Sequence, residues 1–265
     1  MKRAFQIAVL VLSALLPGMA LAAQAQTPSV KLEKLLNPDV ARTAKLGALV
    51  NCVAVTPDGI AVVGDADRLW LVGASGARAT GVRGLSSFAF TSQGLLIGVR
   101  GRDLVYLDAD GTLKTFFGLP GEEMSIVPGQ GDTLLLYGPE GKDSWGLYII
   151  HPGRRVSKLL KSPKPITGAA MAGNRVLLVA GGALYEVLKG KLLLVAGEPG
   201  GAFVSVAAEP AGSLVFVSDG KRIFGIQGNQ VMPLAGDIGG ILRWQGGGLL
   251  IFDPGRDMLL RLVAQ

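Results

Sequence analysis

The chain has one histidine and one cysteine among 265 residues, only 6% aromatic side chains, and 20 acidic residues. A lone histidine, His151, in the turn sequence "HPG" cannot serve a Ser-His-Asp triad or a histidine-rich metal site. A lone cysteine, Cys52, excludes an intramolecular disulfide, so stability must come from packing. With few aromatic residues, that packing must be built from Val, Leu and Ala. No apolar run approaches the roughly 20 residues that a membrane-spanning helix needs. The run Ile7 to Leu16 is about half as long, follows Lys2 and Arg3, and ends at Pro17-Gly18. These are the marks of a secretory signal peptide, with cleavage expected after Ala22 or Ala25. Residues 1–25 are therefore set aside, 26–41 are an N-terminal segment, and 42–265 form one domain without a transmembrane segment. The expected location is the periplasm, with secretion as the other possibility.

Without Lys2 and Arg3 the chain carries 24 basic against 20 acidic side chains, a net charge of +4. So mild an excess is no nucleic-acid footprint, and no nucleic-acid partner is expected. What the chain has in abundance is glycine, 39 residues, which implies many tight turns.

Those turns recur with a period. Short apolar segments follow them at "IAVVGD" from Ile60, "LLIGVR" from Leu95, "TLLLYG" from Thr133, "RVLLVA" from Arg175, "SLVFVS" from Ser213 and "LLIFDP" from Leu249. The starts lie 35, 38, 42, 38 and 36 residues apart, each unit holding four short strand patterns. That spacing predicts an all-β six-bladed β-propeller with four-stranded antiparallel blades. The sixth unit ends after its third strand, so an N-terminal strand must pair with the C-terminal blade and close the ring. Arg42 to Leu46 ("RTAKL") is the first candidate and Val30 to Leu36 ("VKLEKLL") the second.

The units "VAVTPDGIAVVGDADRLWLV" from Val53 and "AAEPAGSLVFVSDGKRIFGI" from Ala207 resemble the NHL-repeat family of six-bladed propellers, as do the linkers "VAGEPGG" and "LAGDIGG". The resemblance implies the same architecture over the mature chain. Its tasks are diverse: protein and RNA binding, ligand binding and, in related six-bladed folds, lactone or ester hydrolysis at a metal. Fold alone does not choose among them.

The loops between second and third strands carry Asp65, Arg68, Arg100, Asp219, Arg222 and Asp253 on one face. Such a mixed-sign rim could dock a protein or a charged ligand. More simply, each Asp fixes its own turn and the arginines tie neighbouring blades. On the inner strands, Ala54, Ala89, Ile126, Ala169 and Ala207 align with one arginine, Arg243, beside Trp244. Arg243 could mark an anion site in the channel, with Glu123 and Asn51 at comparable heights. Alternatively it pairs structurally with Glu123 or a loop acid. Asn51, Ser86, Glu123, Ile166, Val204 and Gly240 open the inner strands, which offers too few ligands for a metal-dependent hydrolase. "DADG" at Asp108 reads as a hairpin turn and not a calcium loop, and Cys52 as a small core residue. The cations of "RRVSKLLKSPKPI" protect an outer strand from pairing, or meet an anionic surface.

The expectation is thus an exported, non-catalytic binding module with no cofactor or metal, taking a protein partner in the cell envelope or an anionic small ligand on its loop face. The alternative is a metal-dependent lactonase or esterase of the six-bladed class around Glu123 and Arg243.

Overall fold

The turn "TPDG" shows how the sequence starts a blade. Gly59 takes a φ of 88°, a backbone conformation that side chains with a Cβ rarely adopt, and its N–H donates to the Thr56 carbonyl at 2.9 Å. Gly94 in "TSQG" and Gly212 in "EPAG" repeat that geometry, each donating back to the residue three positions earlier. Every such turn reverses an inner strand into a largely buried second strand, as in Cys52–Val55 followed by Ala61–Gly64.

The computed structural model describes residues 30–36 and 52–264, apart from 66, 74–75, 198–201, 213, 229, 246, 254–255 and 257. Within them lie six four-stranded antiparallel sheets, five of consecutive strands and one composite. The inner strands of blades 1 to 6 are Cys52–Val55, Ser87–Phe90, Ser125–Pro128, Ile166–Ala172, Ser205–Ala208 and Ile241–Gln245. The predicted six-bladed propeller is the observed fold. No helix among the described residues is long and apolar enough to cross a membrane.

Closure falls to the second of the two candidates. Val30–Leu36 pairs antiparallel with Met258–Ala264, from Val30 opposite Ala264 to Leu36 opposite Leu259. Each of these strands has seven residues, and the pairing runs along nearly all of both, with a register shift between Lys34 and Leu36. The propeller therefore draws on the segment 26–41 that the sequence set apart. Arg42 to Leu46 lies outside the described residues, as does the expected signal peptide.

The core is six cores, one per blade junction. Phe88, Leu104 and Phe252 are among the largest fully buried side chains, and each belongs to a cluster shared by two adjacent blades. Cys52, Ala54 and Val62 of blade 1 meet Phe88, Leu96 and Val105 of blade 2. Val53, Val55 and Val63 turn the opposite way, onto Leu250, Phe252 and Leu259 of blade 6, where Leu35 of the closing strand joins them. Strand alternation thus hands successive side chains to the two neighbouring blades. At ~25 cal/mol per Å² of apolar surface, these junctions explain stability without a disulfide.

The inner strands are also stitched together by small polar side chains at their first positions. Ser87 Oγ accepts the Ile126 N–H at 3.0 Å, and Ser205 Oγ accepts the Leu242 N–H at 2.9 Å. Cys52 Sγ does the same for the Phe88 N–H at 3.4 Å. Ile126, Phe88 and Leu242 are therefore equivalent, and the blade 3 counterpart of Arg243 becomes Val127, one residue later than the sequence alignment placed it.

Candidate functional site

A propeller's inner strands leave one backbone edge unpaired along the channel, and buried N–H and C=O groups there need partners. Blade 6 supplies several of them. Arg243 is 7% exposed, and its Nη1 donates to the Val53 carbonyl at 3.0 Å and the Phe88 carbonyl at 3.3 Å. Gln245, two residues on, accepts the Val55 N–H at 3.0 Å through Oε1. Blade 6 is in this way bound across the channel to blades 1 and 2. The structural pairing expected of Arg243 exists, but its partners are backbone carbonyls; neither Glu123 nor a loop acid takes that place.

Arg243 is the only buried cation among the described residues. Its charge is permanent. Its Nε is buried and has no hydrogen-bond partner among the described residues. Tyr137 lies near enough to feel the guanidinium. Burial pushes the Tyr137 phenol above its ordinary value, while the Arg243 charge and a hydrogen bond with Ser125 pull the other way without cancelling it. The phenol keeps its proton at neutral pH. The channel accordingly offers one fixed positive charge.

Two hollows meet at Trp244, and the inner one touches this charge. An inner one of about 20 Å³ is walled by Ala170, Ala207, Arg243 and Trp244. A wider funnel of about 630 Å³ opens where the first and second strands of the blades are joined, with Pro57, Phe90, Pro210, Trp244 and Gln245 in its wall. The walls share Pro128, Gly129, Pro210 and Trp244. Trp244 is held flat against Phe216, ring planes at 5° and centroids 6.2 Å apart. Its indole is therefore fixed at the junction of the two spaces.

The other predicted positions are elsewhere. Glu123 is exposed, and its left-handed backbone (φ 60°) turns it out of the strand line into a surface hollow with Arg102 and Glu140. It does not reach Arg243. Asn51 lies outside the described residues. On the rim, Asp65 Oδ1 accepts the N–H groups of Asp67 and Arg68, and Oδ2 accepts the Trp70 indole N–H at 2.8 Å. Asp219 repeats this with the N–H groups of Lys221 and Arg222, and also pairs with the Arg222 guanidinium at 2.7 Å. Burial would raise the Asp219 carboxyl, but these bonds hold it below its ordinary value. Asp253 faces Arg256 at 3.6 Å, Arg68 pairs with Asp67, and Arg100 is exposed. The rim acids hold their own turns. Of the outer-strand cations, Lys158 pairs with Glu140, Lys164 donates to the Tyr185 hydroxyl, and Arg154 lies over the Tyr106 ring.

Residues that would hold a divalent metal are not brought together. Among the described residues no three His, Cys, Asp or Glu side chains converge. The first inner-strand positions are Cys52, Ser87, Ser125, Ile166, Ser205 and Ile241, which are neutral and poor ligands for a hard cation. The Asp108 turn is closed on itself. Its carboxylate accepts the Asp110 and Thr112 N–H groups and pairs with Lys114, which holds the carboxyl below its ordinary value.

Sequence reasoning passed over Ser87, Ser125, Ser205 and Tyr137. The available signal was the small polar residue at the same place in "CVAV", "SFAF", "SIVP" and "SVAA".

No protein-family model matches the chain, and no curated protein matches it in sequence. Solved structures do share its fold. One carries a provisional gluconolactonase assignment, with a TM-score of 0.65 at 12% identity over 89% of this chain and 92% of the other. A second is a gluconolactonase from Xanthomonas campestris, with a TM-score of 0.60 at 15% identity over 94% and 98%. A third is regucalcin, a calcium-binding protein from Agrobacterium tumefaciens, with a TM-score of 0.61 at 12% identity over 82% and 90%. Identities this low speak to the fold. These neighbours nonetheless overturn the expectation of a non-catalytic binding module and favour its alternative, because the proteins with this ring over nearly their full length include gluconolactonases. The chain is a six-bladed β-propeller with structural neighbours among the gluconolactonases and regucalcin.

Proposed function

We propose that the protein is an exported, periplasmic hydrolase of the lactonase type, opening small lactones or esters at its central channel. The observation that carries this reading is the ring shared, along nearly the whole of each chain, with a gluconolactonase and with a second protein provisionally assigned as one. The NHL-like first and fifth units belong to the same reading, as repeat sequences that build a lactonase-like ring.

The chemistry of the channel supports it in one respect. Hydrolysis adds water to the carbonyl carbon, breaks the C–O bond of the ring, and leaves a hydroxyl and a carboxylate, so negative charge develops where a neutral group was bound. A fixed cation in a water-poor site favours that change, because its electrostatic effect is larger there than in water. Arg243 is such a cation. The metal chemistry named for related folds has no carboxylate set here among the described residues, so no step is assigned to it.

The test is acid release measured at constant pH from a panel of sugar-acid lactones and short esters, with chelator and with each of calcium, zinc and manganese added. Release above the spontaneous rate under any of these conditions supports the reading. A folded protein that leaves every substrate at its spontaneous rate refutes it.

A further inference from the structure

The inner hollow has room for about one water-sized group, about 20 Å³, against Arg243. The funnel above it, about 630 Å³, has the size of a small-molecule pocket. Whatever reaches the guanidinium must therefore be the small end of a ligand whose body stays in the funnel. Arg243 is 93% buried by the complement of its 7% exposure, and among the described residues it has no ion-pair partner and its buried Nε donates to nothing. Two carbonyls on Nη1 leave its positive charge uncompensated. A carboxylate oxygen supplies both the missing acceptor and the missing charge. Arg243 is the only buried cation among the described residues, so the hollow matches one negative charge.

We propose that the channel is a receptor for a small monocarboxylate, which enters by the turn-face funnel and presents its carboxylate to Arg243 beneath Trp244. The inference rests on the hydrolase reading only in taking such a carboxylate to be the reaction's product; binding is measurable without turnover.

The experiment follows the Arg243 Nε–H resonance of the ¹⁵N-labelled protein, assigned through its own side-chain correlations, during titration with sodium gluconate, acetate, succinate or phosphate at constant ionic strength. Sodium chloride serves as control. A saturable shift with gluconate and acetate, weaker with succinate and phosphate, is expected. Arg243→Lys, which keeps the charge and loses the fork, should bind gluconate about tenfold or more weakly in calorimetry. If phosphate shifts the signal more strongly than gluconate does, or if no anion moves it beyond the chloride control, the proposal fails. The two readings fail separately. A protein that binds gluconate and opens no lactone keeps this inference and loses the hydrolase, whereas a lactonase whose Arg243 signal never moves does the reverse.

Discussion

Replacing Ser205 by alanine removes one oxygen from a junction that has no water-facing side. In the native protein that oxygen accepts the Leu242 N–H at 2.9 Å and lies 3.4 Å from the Leu242 carbonyl, joining the inner strands of blades 5 and 6. Ser205 is 4% and Leu242 2% exposed, so no solvent stands ready to take over the orphaned N–H. Leaving a buried donor unsatisfied costs about 1–3 kcal/mol. In a domain of this size each kcal/mol moves Tm by about 2–4 °C, which places the variant roughly 2–12 °C below the wild type. Differential scanning calorimetry at matched pH reads the difference directly. Two companions sharpen it. Ser87→Ala, which orphans the Ile126 N–H, should fall in the same range, and Cys52→Ser should stay close to the wild type because a hydroxyl can accept the Phe88 N–H that the thiol now accepts. A Ser205→Ala protein melting with the wild type would refute the argument that these side chains stitch the ring.

A chain ending before Arg256 lacks Met258–Ala264 and leaves Val30–Leu36 without a partner, so thermal or urea unfolding should lose its single cooperative transition; a wild-type-like transition counts against closure. Asp65→Ala removes the acceptor of two backbone N–H groups and the Trp70 indole, which should lower stability by about 2 kcal/mol in urea unfolding, with Trp70 fluorescence reporting the freed indole. Glu140 gives a pH test. Burial raises its carboxyl, but the Lys158 and Tyr148 hydrogen bonds outweigh that and hold it below the ordinary 4.5. A depressed folded value means stability that is present above 4.5 and lost as pH falls through the folded value. Wild type should therefore lose Tm more steeply than Glu140→Gln below about pH 4.5, and parallel curves would contradict the assignment.

The ring was legible because its cause is periodic: each unit must bury one face on the next, so turn, buried strand and loop return at nearly constant spacing. Closure was half legible, since two segments had strand character and only pairing with Met258–Ala264 distinguishes Val30–Leu36. Arg243 stood out as one cation in a row of small residues, yet its partners did not. The Val53 and Phe88 carbonyls leave no mark in a sequence, whereas an acid such as Glu123 does and so attracted the pairing. The left-handed turn at Glu123 is equally silent, because nothing in "GEEM" marks a glutamate at φ 60°. Activity was least legible. The carboxylates and histidines that usually announce a hydrolase form no converging group of three or more among the described residues.

The most direct measurement compares acid release from gluconolactone by the wild type and by Arg243→Lys, both confirmed folded by circular dichroism, each with and without added divalent cation. The account predicts release above spontaneous ring opening for the wild type and loss of most of that excess in the variant. A wild-type rate equal to spontaneous opening in every condition, or a variant as fast as the wild type, would contradict it.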